Sequence, residues 1–382
     1  MSEASAIKLN QCRKFIESNI LLQYKKNNLN QSSPVMYLVG SPGMGKSEYY
    51  DQLCLDKGWG LLVQYMGTMP HEMITGLPLP GNNDGFTNWS CPELFRMTNV
   101  RVEPKGKDSI TILLLDDAHL ISKSHQPYLF QLLTLKSIHN HKLPNNIIIQ
   151  LAGNKPGDKA GYQTMLAPIV NRISYLNTYS DVDDWVENYA VKNHIRSDII
   201  SFLLDKPSCF TSDPTENISF ATARSWTYAS NSIDEFESSN KNMSDKDVTT
   251  ILSGHIPMNI VTEFLEYRLL YTKWDCGSIL NGNMPSCENK MEYYSMLSAV
   301  TAYLLKILRT SGFKLHTPEM NSKIDVFEQV INYVWKQNRV LVPVCLKQLI
   351  LGEIDKTKSA ELCLKIFNKN PELYSSMINM MS

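Results

Sequence analysis

The sequence lacks an excess of charge of either sign, and it lacks the signals of a secreted or membrane-bound chain. Its 37 Lys and Arg residues against 38 Asp and Glu residues give a net charge of −1. No overall field therefore attracts nucleic acid or an anionic membrane. The first eight residues lack the basic segment and apolar core of a signal peptide, and the apolar stretch 293–305 is too short to span a bilayer. We expect a cytoplasmic protein without membrane association.

Paired cysteines and internal repeats are also missing. The eight cysteines are scattered with no CxxC pair, which disfavours both a disulfide framework and a zinc site. His139 and His141 lie close together, but their neighbours supply no further ligand set at metal-binding spacing. We therefore expect free thiols in a reducing compartment and no metal other than Mg²⁺.

An ordinary globular composition fills the chain instead. Of the 382 residues, 43% are hydrophobic and 20% are charged, as in typical globular proteins. This length is enough for two or three domains with a well-buried core.

A glycine-rich segment lies between the apolar run 35–39 and the helix-compatible segment 48–55. It reads Gly40-Ser41-Pro42-Gly43-Met44-Gly45-Lys46-Ser47. This order of strand, loop and helix is the context of a GxxxxGK[ST] phosphate loop. Glycines leave room for backbone N–H groups to turn toward a triphosphate, Lys46 would reach its β- and γ-phosphates, and Ser47 would bind Mg²⁺. The segment therefore predicts a triphosphate-binding site.

Polar residues follow two further apolar runs. Residues 110–115 form a near-continuous apolar run that ends in Asp116 and Asp117, and residues 146–152 end before Gly153 and Asn154. Such runs are typical of strands buried on both faces of a parallel sheet. Asp116 would hold the Mg²⁺ ion, while Asp117 and the Asn154 amide would orient the attacking water.

The remaining pattern predicts an α/β sheet followed by helices. Residues 60–65 and 173–176 are further strand candidates, and residues 7–24 have the spacing of an amphipathic helix. Strands that alternate with helices predict an open α/β sheet with its ligand at the carboxyl ends of the strands. Beyond residue 180 the apolar spacing is helical, with a capped helix start at 181–186, and the polar stretch 230–247 is interpreted as a loop.

With these motifs in place, the sequence resembles the AAA+ ATPases, specifically the MoxR-like branch encoded by many bacteria and phages. The resemblance covers roughly residues 33–272. Its more diagnostic segments are Thr75-Gly76-Leu77-Pro78, Trp89 with Pro92, and residues 153–158, 165–173, 181–185 and 223–226.

The resemblance implies a role for each motif. Residues 40–47 would be the Walker A segment, Asp116 and Asp117 the Walker B acids, and Asn154 the sensor 1 residue. Arg172 would be an arginine finger that reaches the γ-phosphate held by the neighbouring subunit. Arg224 would be the sensor 2 arginine. The family usually has Glu at the second Walker B position, so the shorter Asp117 predicts hydrolysis that is slow or that depends on a shifted water.

The resemblance also implies a domain organisation. Residues 1–32 would form an N-terminal helix and connector, and residues 33–180 the α/β nucleotide-binding domain of a P-loop NTPase. Residues 181–272 would form a helical lid, and residues 273–382 a helical C-terminal extension.

The function implied is that of a ring-forming ATPase. Such proteins bind ATP and Mg²⁺, assemble into homo-oligomeric rings, here expected to be hexamers, and use hydrolysis to remodel or mature a partner protein. Members of this branch often act with a von Willebrand factor A type protein, so such a partner is implied for this chain.

Three alternatives remain open. One is a GTP-using restriction-type motor of the McrB kind, which shares the core of this branch. Another is a nucleic-acid-linked ATPase such as a replication loader, whose DNA binding would depend on salt; the charge balance does not indicate it. The third is a nucleotide-gated scaffold with negligible hydrolysis. Residues 116–119 also resemble a helicase DEAH box, but no run of other helicase motifs accompanies them.

Overall fold

The structure is a computed structural model. The residues that it describes are 6–80, 87–96, 99–106, 109–158, 161–214, 219–239, 243–309 and 317–337, together with 342–343, 345–346, 371–373 and 375. The chain divides into two compact units, Met1–Ser180 and Asp181–Ser382.

The first unit is built on a seven-stranded sheet. Its strands and those of two small hairpins are β1 (Ile7–Lys8), β2 (Val35–Val39), β3 (Gly60–Tyr65), β4 (Pro78–Leu79), β5 (Asn88–Trp89), β6 (Val100–Val102), β7 (Thr111–Asp116), β8 (Ser137–Ile138), β9 (His141–Lys142), β10 (Ile147–Gly153) and β11 (Ile173–Tyr179). The sheet has the order β1-β11-β2-β10-β7-β3-β6, and the hairpins are β4-β5 and β8-β9. All neighbours in the sheet are parallel except β3 and β6. The carboxyl ends of β2, β10 and β7 therefore lie side by side.

Among the described residues of this unit, five α-helices accompany the sheet: α1 (Arg13–Asn28), α2 (Lys46–Lys57), α3 (His71–Thr75), α4 (Gln126–Leu135) and α5 (Ala167–Val170). Successive residues of a strand point to opposite faces, and both faces of the central strands are covered. Leu38 and Ile148 pack in a cluster with residues of α1 and α2, whereas Val39 and Ile149 pack in a cluster with residues of α4. Burial on both faces explains why the sequence shows continuous apolar runs.

Polar side chains of α1 attach this helix to the central strand β10. Gln23 Nε2 donates to the carbonyl oxygen of Ile149 at 3.0 Å, and Asn27 Nδ2 donates to that of Ile147 at 3.3 Å. Asn19 Oδ1 accepts from the buried Gln150 Nε2 at 3.0 Å. The three α1 residues are four positions apart and so lie on one side of the helix. We call them the α1 amide ladder.

The second unit is helical within the described ranges. Its helices are α6 (Val182–Trp185), α7 (Ser197–Asp205), α8 (Ala223–Ser239), α9 (Asp245–Ser253), α10 (Met258–Thr272), α11 (Cys276–Leu280), α12 (Lys290–Arg309) and α13 (Pro318–Gln337). One hydrophobic cluster extends from Val182 to Leu373 and joins Phe264 of α10 to Leu297 of α12. Helices on both sides of residue 272 therefore share one core. Most of the chain beyond residue 337, the later part of the expected C-terminal extension, lies outside the described residues.

Two local predictions are wrong in their bounds. The helix expected over residues 7–24 begins only at Arg13, because Ile7 and Lys8 pair with Thr178 and Tyr179 of β11. The loop expected over residues 230–247 is helical through Ser239, and a new helix begins at Asp245. Buried Ile233 anchors this polar part of α8 to the core.

The predicted fold class is confirmed. A mostly parallel α/β sheet, with a strand, loop and helix at residues 35–57, is followed by helices. Asp181 caps α6 by accepting from the Asp184 N–H at 2.9 Å, as the sequence predicts. Within the described part of the chain, we find no helix long and apolar enough to cross a membrane.

Candidate active site

The predicted phosphate loop connects β2 to α2. Gly43 and Gly45 have φ angles of 72° and 97°, the left-handed region that glycine adopts without strain. Gly40 is favoured by space instead, because a Cβ there would lie 2.9 Å from Thr178 Oγ1 and 3.0 Å from the Thr178 carbonyl oxygen. The loop thus depends on glycine for two different reasons.

Lys46, the first residue of α2, turns its buried side chain back into the loop. Its Nζ donates to the carbonyl oxygens of Gly40 at 2.8 Å and Ser41 at 3.0 Å, and to Asn154 Oδ1 at 3.0 Å. These three acceptors are neutral oxygens. A phosphate oxygen that carries negative charge forms a stronger hydrogen bond with an ammonium group than a neutral oxygen does. The arrangement therefore suits an incoming anion.

Ser47 and Asp116 meet beside Lys46. Ser47 Oγ donates to Asp116 Oδ2, and Asp116 Oδ1 accepts from the Asp117 N–H at 2.9 Å. Asp116 is only 7% exposed at the carboxyl end of β7. A hydroxyl and a carboxylate in contact form the all-oxygen donor set that Mg²⁺ prefers. These residues therefore fit the ion implied by the sequence.

Asp117 has a left-handed backbone, with φ 52° and ψ 33°. Asp tolerates this region better than most residues other than glycine. Its side chain is 44% exposed, and Oδ1 lies 4.0 Å from His119 Nδ1, which is beyond hydrogen-bonding distance. The carboxylate is thus accessible to solvent at the edge where Lys46 and Asp116 lie.

The sequence prediction missed His119, which contacts Asn154 from the turn after β7. Its ring is 1% exposed, Nδ1 accepts from the Asn154 N–H at 3.2 Å, and Nε2 lies 3.2 Å from Asn154 Nδ2. His119 follows the end of a buried strand, as Asp117 and Asn154 do. That signal was present in the sequence.

Arg172 lies at the other end of β2. The Val35 N–H donates to the Arg172 carbonyl oxygen at 3.0 Å, so Arg172 is beside the first residue of the strand. At about 3.3 Å per residue, the strand separates it from the phosphate loop by roughly 13 Å. Its guanidinium donates to Thr134 Oγ1 at 2.7 Å and the Pro168 oxygen at 2.9 Å, and lies 4.3 Å from the Phe130 ring centre. Arg172 is thus not part of its own chain's phosphate site.

Arg224 belongs to the second unit. It is the second residue of α8, and its side chain is exposed. Its neighbours Ala223 and Trp226 are buried in the helical core, which fixes the first turn of the helix. The role of Arg224 as a sensor stays a prediction.

The sequence matches no protein-family model and no curated protein. Among solved structures, it is similar to the RuvB Holliday junction branch migration motor of Thermotoga maritima, with 11% identity over 78% of this chain and 84% of that one, at a TM-score of 0.34. A putative ATPase from Cytophaga hutchinsonii has 13% identity over 66% of this chain and 94% of its own, at a TM-score of 0.28. NtrX from Brucella abortus has 10% identity over 99% of this chain and 69% of its own, at a TM-score of 0.37. At these TM-scores the similarities carry no argument about activity, which has to rest on the geometry above.

Proposed function

We propose that the protein hydrolyses ATP at the carboxyl edge of its sheet. The observation that carries this proposal is the convergence of Lys46, Ser47, Asp116 and Asn154, which come from three chain segments. Lys46 bonds to Asn154, and Ser47 bonds to Asp116. This combination of an ammonium, a metal-binding pair and a water-orienting amide is what phosphoryl transfer to water needs.

Each residue has a task in this proposal. The loop N–H groups and Lys46 bind the phosphates, and Ser47 and Asp116 hold Mg²⁺. The ion, when bound, neutralises charge on the phosphate oxygens. The exposed Asp117 carboxylate orients the attacking water and accepts its proton, and the Asn154 amide helps to position that water.

ATP turnover with matched lysine variants tests this function. We expect the wild type to release phosphate from ATP in the presence of Mg²⁺, and Lys46→Ala to lower turnover at least about 100-fold. Lys57→Ala, at the last residue of the same helix, removes an ion pair with Glu17 and should retain activity. Unchanged turnover in Lys46→Ala would refute the assignment of this site. The same assay with GTP separates an ATPase from a GTP-using motor.

We further propose that the protein belongs to the AAA+ ATPases, that it is a member of their MoxR-like branch, and that it acts as a ring. Arg172 supports assembly because it lies at the edge opposite its own phosphate loop, where a neighbouring subunit can approach it. In such a ring, a hexamer by resemblance, Arg172 and Arg224 would stabilise charge on the γ-phosphate. Light scattering with ATP and Mg²⁺ should detect a homo-oligomer; a strictly monomeric, active protein would contradict this proposal.

The proposed task of the ring is to remodel a partner protein, for which a von Willebrand factor A type protein is the candidate. A pull-down with Asp117→Asn, which should hold ATP and partner together, tests this step. Recovery of nucleic acid alone would instead favour a loader or motor.

A slow nucleotide-gated scaffold is the second candidate. It is favoured by Asp117, which is one methylene shorter than Glu. Tight ATP binding by the wild type without measurable phosphate release would support the scaffold over the ATPase.

A further inference from the structure

The ring of His119 packs against the backbone just after β10. A Cβ added at Gly153 would lie 3.1 Å from His119 Nδ1 and 2.5 Å from Tyr37 Oη. Real Cβ atoms essentially never come as close as 2.5 Å, so the Tyr37 ring requires a glycine here, and at 3.1 Å the His119 ring would have to move by a few tenths of an ångström. The glycine before Asn154 therefore leaves room for both rings in their present positions.

The backbone contact decides which ring nitrogen carries the proton. The Asn154 N–H donates to His119 Nδ1 at 3.2 Å, and a backbone N–H in this position has a fixed direction. Nδ1 must therefore accept, and a neutral ring has its proton on Nε2. The Asp117 carboxylate, at 4.0 Å from Nδ1, is too distant to take a hydrogen bond from that atom.

The Asn154 side chain then faces two donors. Its Oδ1 accepts from Lys46 Nζ at 3.0 Å, while its Nδ2 lies 3.2 Å from His119 Nε2. With a proton on Nε2, the second contact sets one donor against another. A half-turn of the amide would let Oδ1 accept from His119 Nε2–H, but it would turn the NH₂ group toward the Lys46 ammonium. Lys46 and His119 thus compete for the same amide oxygen.

We propose that His119 is a positioning residue that orients Asn154 when ATP is bound. The triphosphate draws the Lys46 ammonium toward its β- and γ-phosphates. The amide can then turn, so that Oδ1 accepts from His119 Nε2–H and Nδ2 donates to the γ-phosphate or to the attacking water. With ADP, which has no γ-phosphate, the turned amide gains no such acceptor. This inference rests on the proposed function and adds to it a means of distinguishing ATP from ADP.

The test combines three variants with two measurements. In His119→Gln, an amide N–H takes the place of Nε2–H, whereas the shorter side chain in His119→Asn reaches only the Nδ1 position. His194→Asn makes the same change at an exposed histidine of the second unit and serves as the control. The measurements are kcat for ATP, and the Kd values of ADP and of a non-hydrolysable ATP analogue.

We expect His119→Asn to lower kcat about 10- to 100-fold, because a misplaced catalytic group costs this much. It should weaken binding of the ATP analogue about tenfold, the effect of one hydrogen bond to a charged group, and change ADP binding less than about twofold. His119→Gln should retain most of the activity, and His194→Asn all of it.

Several outcomes would overturn this inference: equal loss of ADP and analogue binding, no change in either, or indistinguishable Asn and Gln variants. If His119→Asn does not fold, Gly153→Ala in a Tyr37→Phe background moves the His119 ring by a few tenths of an ångström without changing its chemistry, and a smaller loss with the same selectivity is expected. If the wild type binds both nucleotides but releases no phosphate, the proposed hydrolysis is wrong while the ratio of Kd values still decides the inference. If it binds neither nucleotide, both are wrong.

Discussion

Each unit of the protein contains a cation with little access to solvent, and the two cations differ in their partners. In the first unit, the Lys46 ammonium donates to the oxygens of Gly40, Ser41 and Asn154, which are all neutral. In the second unit, the Arg196 guanidinium is 15% exposed and pairs with three carboxylates. These are Asp198 at 3.0 Å, Asp234 at 2.8 Å and Glu237 at 2.6 Å.

The difference separates a binding role from a structural role. Burial alone would lower the pKa of Arg196, but the carboxylates raise it above its usual value. Its charge is already neutralised within the unit and offers nothing to a ligand. The three neutral oxygens around Lys46 hold the ammonium in place and do not themselves cancel its charge, which suits a residue that binds an anion.

Arg172 extends the comparison to a third cation and gives the largest expected effect. Its hydrogen bonds also go to neutral oxygens, those of Thr134 and Pro168. We therefore assign Arg172, like Lys46, a role in binding an anion. If Arg172 acts in trans, Arg172→Ala should lower the turnover of the assembled protein at least about 1000-fold. Nucleotide affinity should change little, because each loop keeps its own Lys46. Steady-state turnover and nucleotide titration check this.

Mixing two inactive variants sharpens this test. A subunit with Lys46→Ala still supplies Arg172, and a subunit with Arg172→Ala still supplies a phosphate loop, so mixed rings should regain partial activity. Arg13→Ala, which removes an arginine paired with Glu17 and Asp56, should leave turnover unchanged. Absence of any recovery in rings shown to be mixed would argue against a shared site.

Arg196 provides the next largest effect, on stability instead of activity. Arg196→Met leaves the 3% exposed Asp198 without its main partner, so the free energy of unfolding should fall by about 3–5 kcal/mol. The three named acceptors of Lys46 are neutral, so Lys46→Met leaves none of them with an unpaired charge. This variant should change the free energy of unfolding by less than about 1 kcal/mol. Denaturant unfolding of both variants measures these changes. Equal losses of unfolding free energy would contradict the distinction between a structural Arg196 and a ligand-binding Lys46.

The stability of the wild type and that of Arg196→Met should respond in opposite ways to acid. Burial tends to raise the pKa of Asp198, but Arg196 holds it below its ordinary value. Its contribution to wild-type stability is therefore present above the ordinary pKa of Asp, near 4, and is lost as the pH falls through the lowered value. In Arg196→Met, burial should dominate and raise this pKa. The variant should then regain stability between pH 7 and pH 5, which unfolding at the two values measures.

Asp117→Glu gives the smallest expected effect. The added methylene brings the carboxylate nearer to a γ-phosphate, so turnover should rise several-fold, equivalent to about 1 kcal/mol in the barrier. Glu is less tolerant of the left-handed backbone than Asp, which should lower the melting temperature slightly. Lower turnover in Asp117→Glu would indicate that the site is adapted to the shorter acid.

Much of the fold was predictable because its signals are local. Strands β2, β7 and β10 are buried on both faces, and this burial gives continuous apolar runs in the sequence. The edge strands β1 and β6 were not predicted, since two or three residues carry no periodicity and Ile7 pairs with a residue as distant as Thr178. The end of α8 was not predicted because Asp234 and Glu237 make its sequence polar. Their ion pairs with Arg196, which is distant in sequence, are visible only in the structure.

The site was predictable to the same extent. Lys46, Ser47, Asp116 and Asn154 follow or begin elements at one edge of a parallel sheet, which the sequence predicts and the structure describes; their chemical roles stay predictions. His119 lies outside the predicted site, because its contact with Asn154 depends on how its ring packs at the end of β10. The sequence shows that His119 follows a buried strand, but it does not show that the ring contacts Asn154.

The α1 amide ladder has a consequence for any attempt to divide the protein into smaller pieces. A chain that began at residue 33, where the family resemblance starts, would keep every phosphate-binding residue. It would lose Asn19, Gln23 and Asn27, whose amides form hydrogen bonds with β10. The buried amide of Gln150 would then be exposed to water. Such a fragment should aggregate, since the minimal autonomous first unit starts upstream of its recognisable motif.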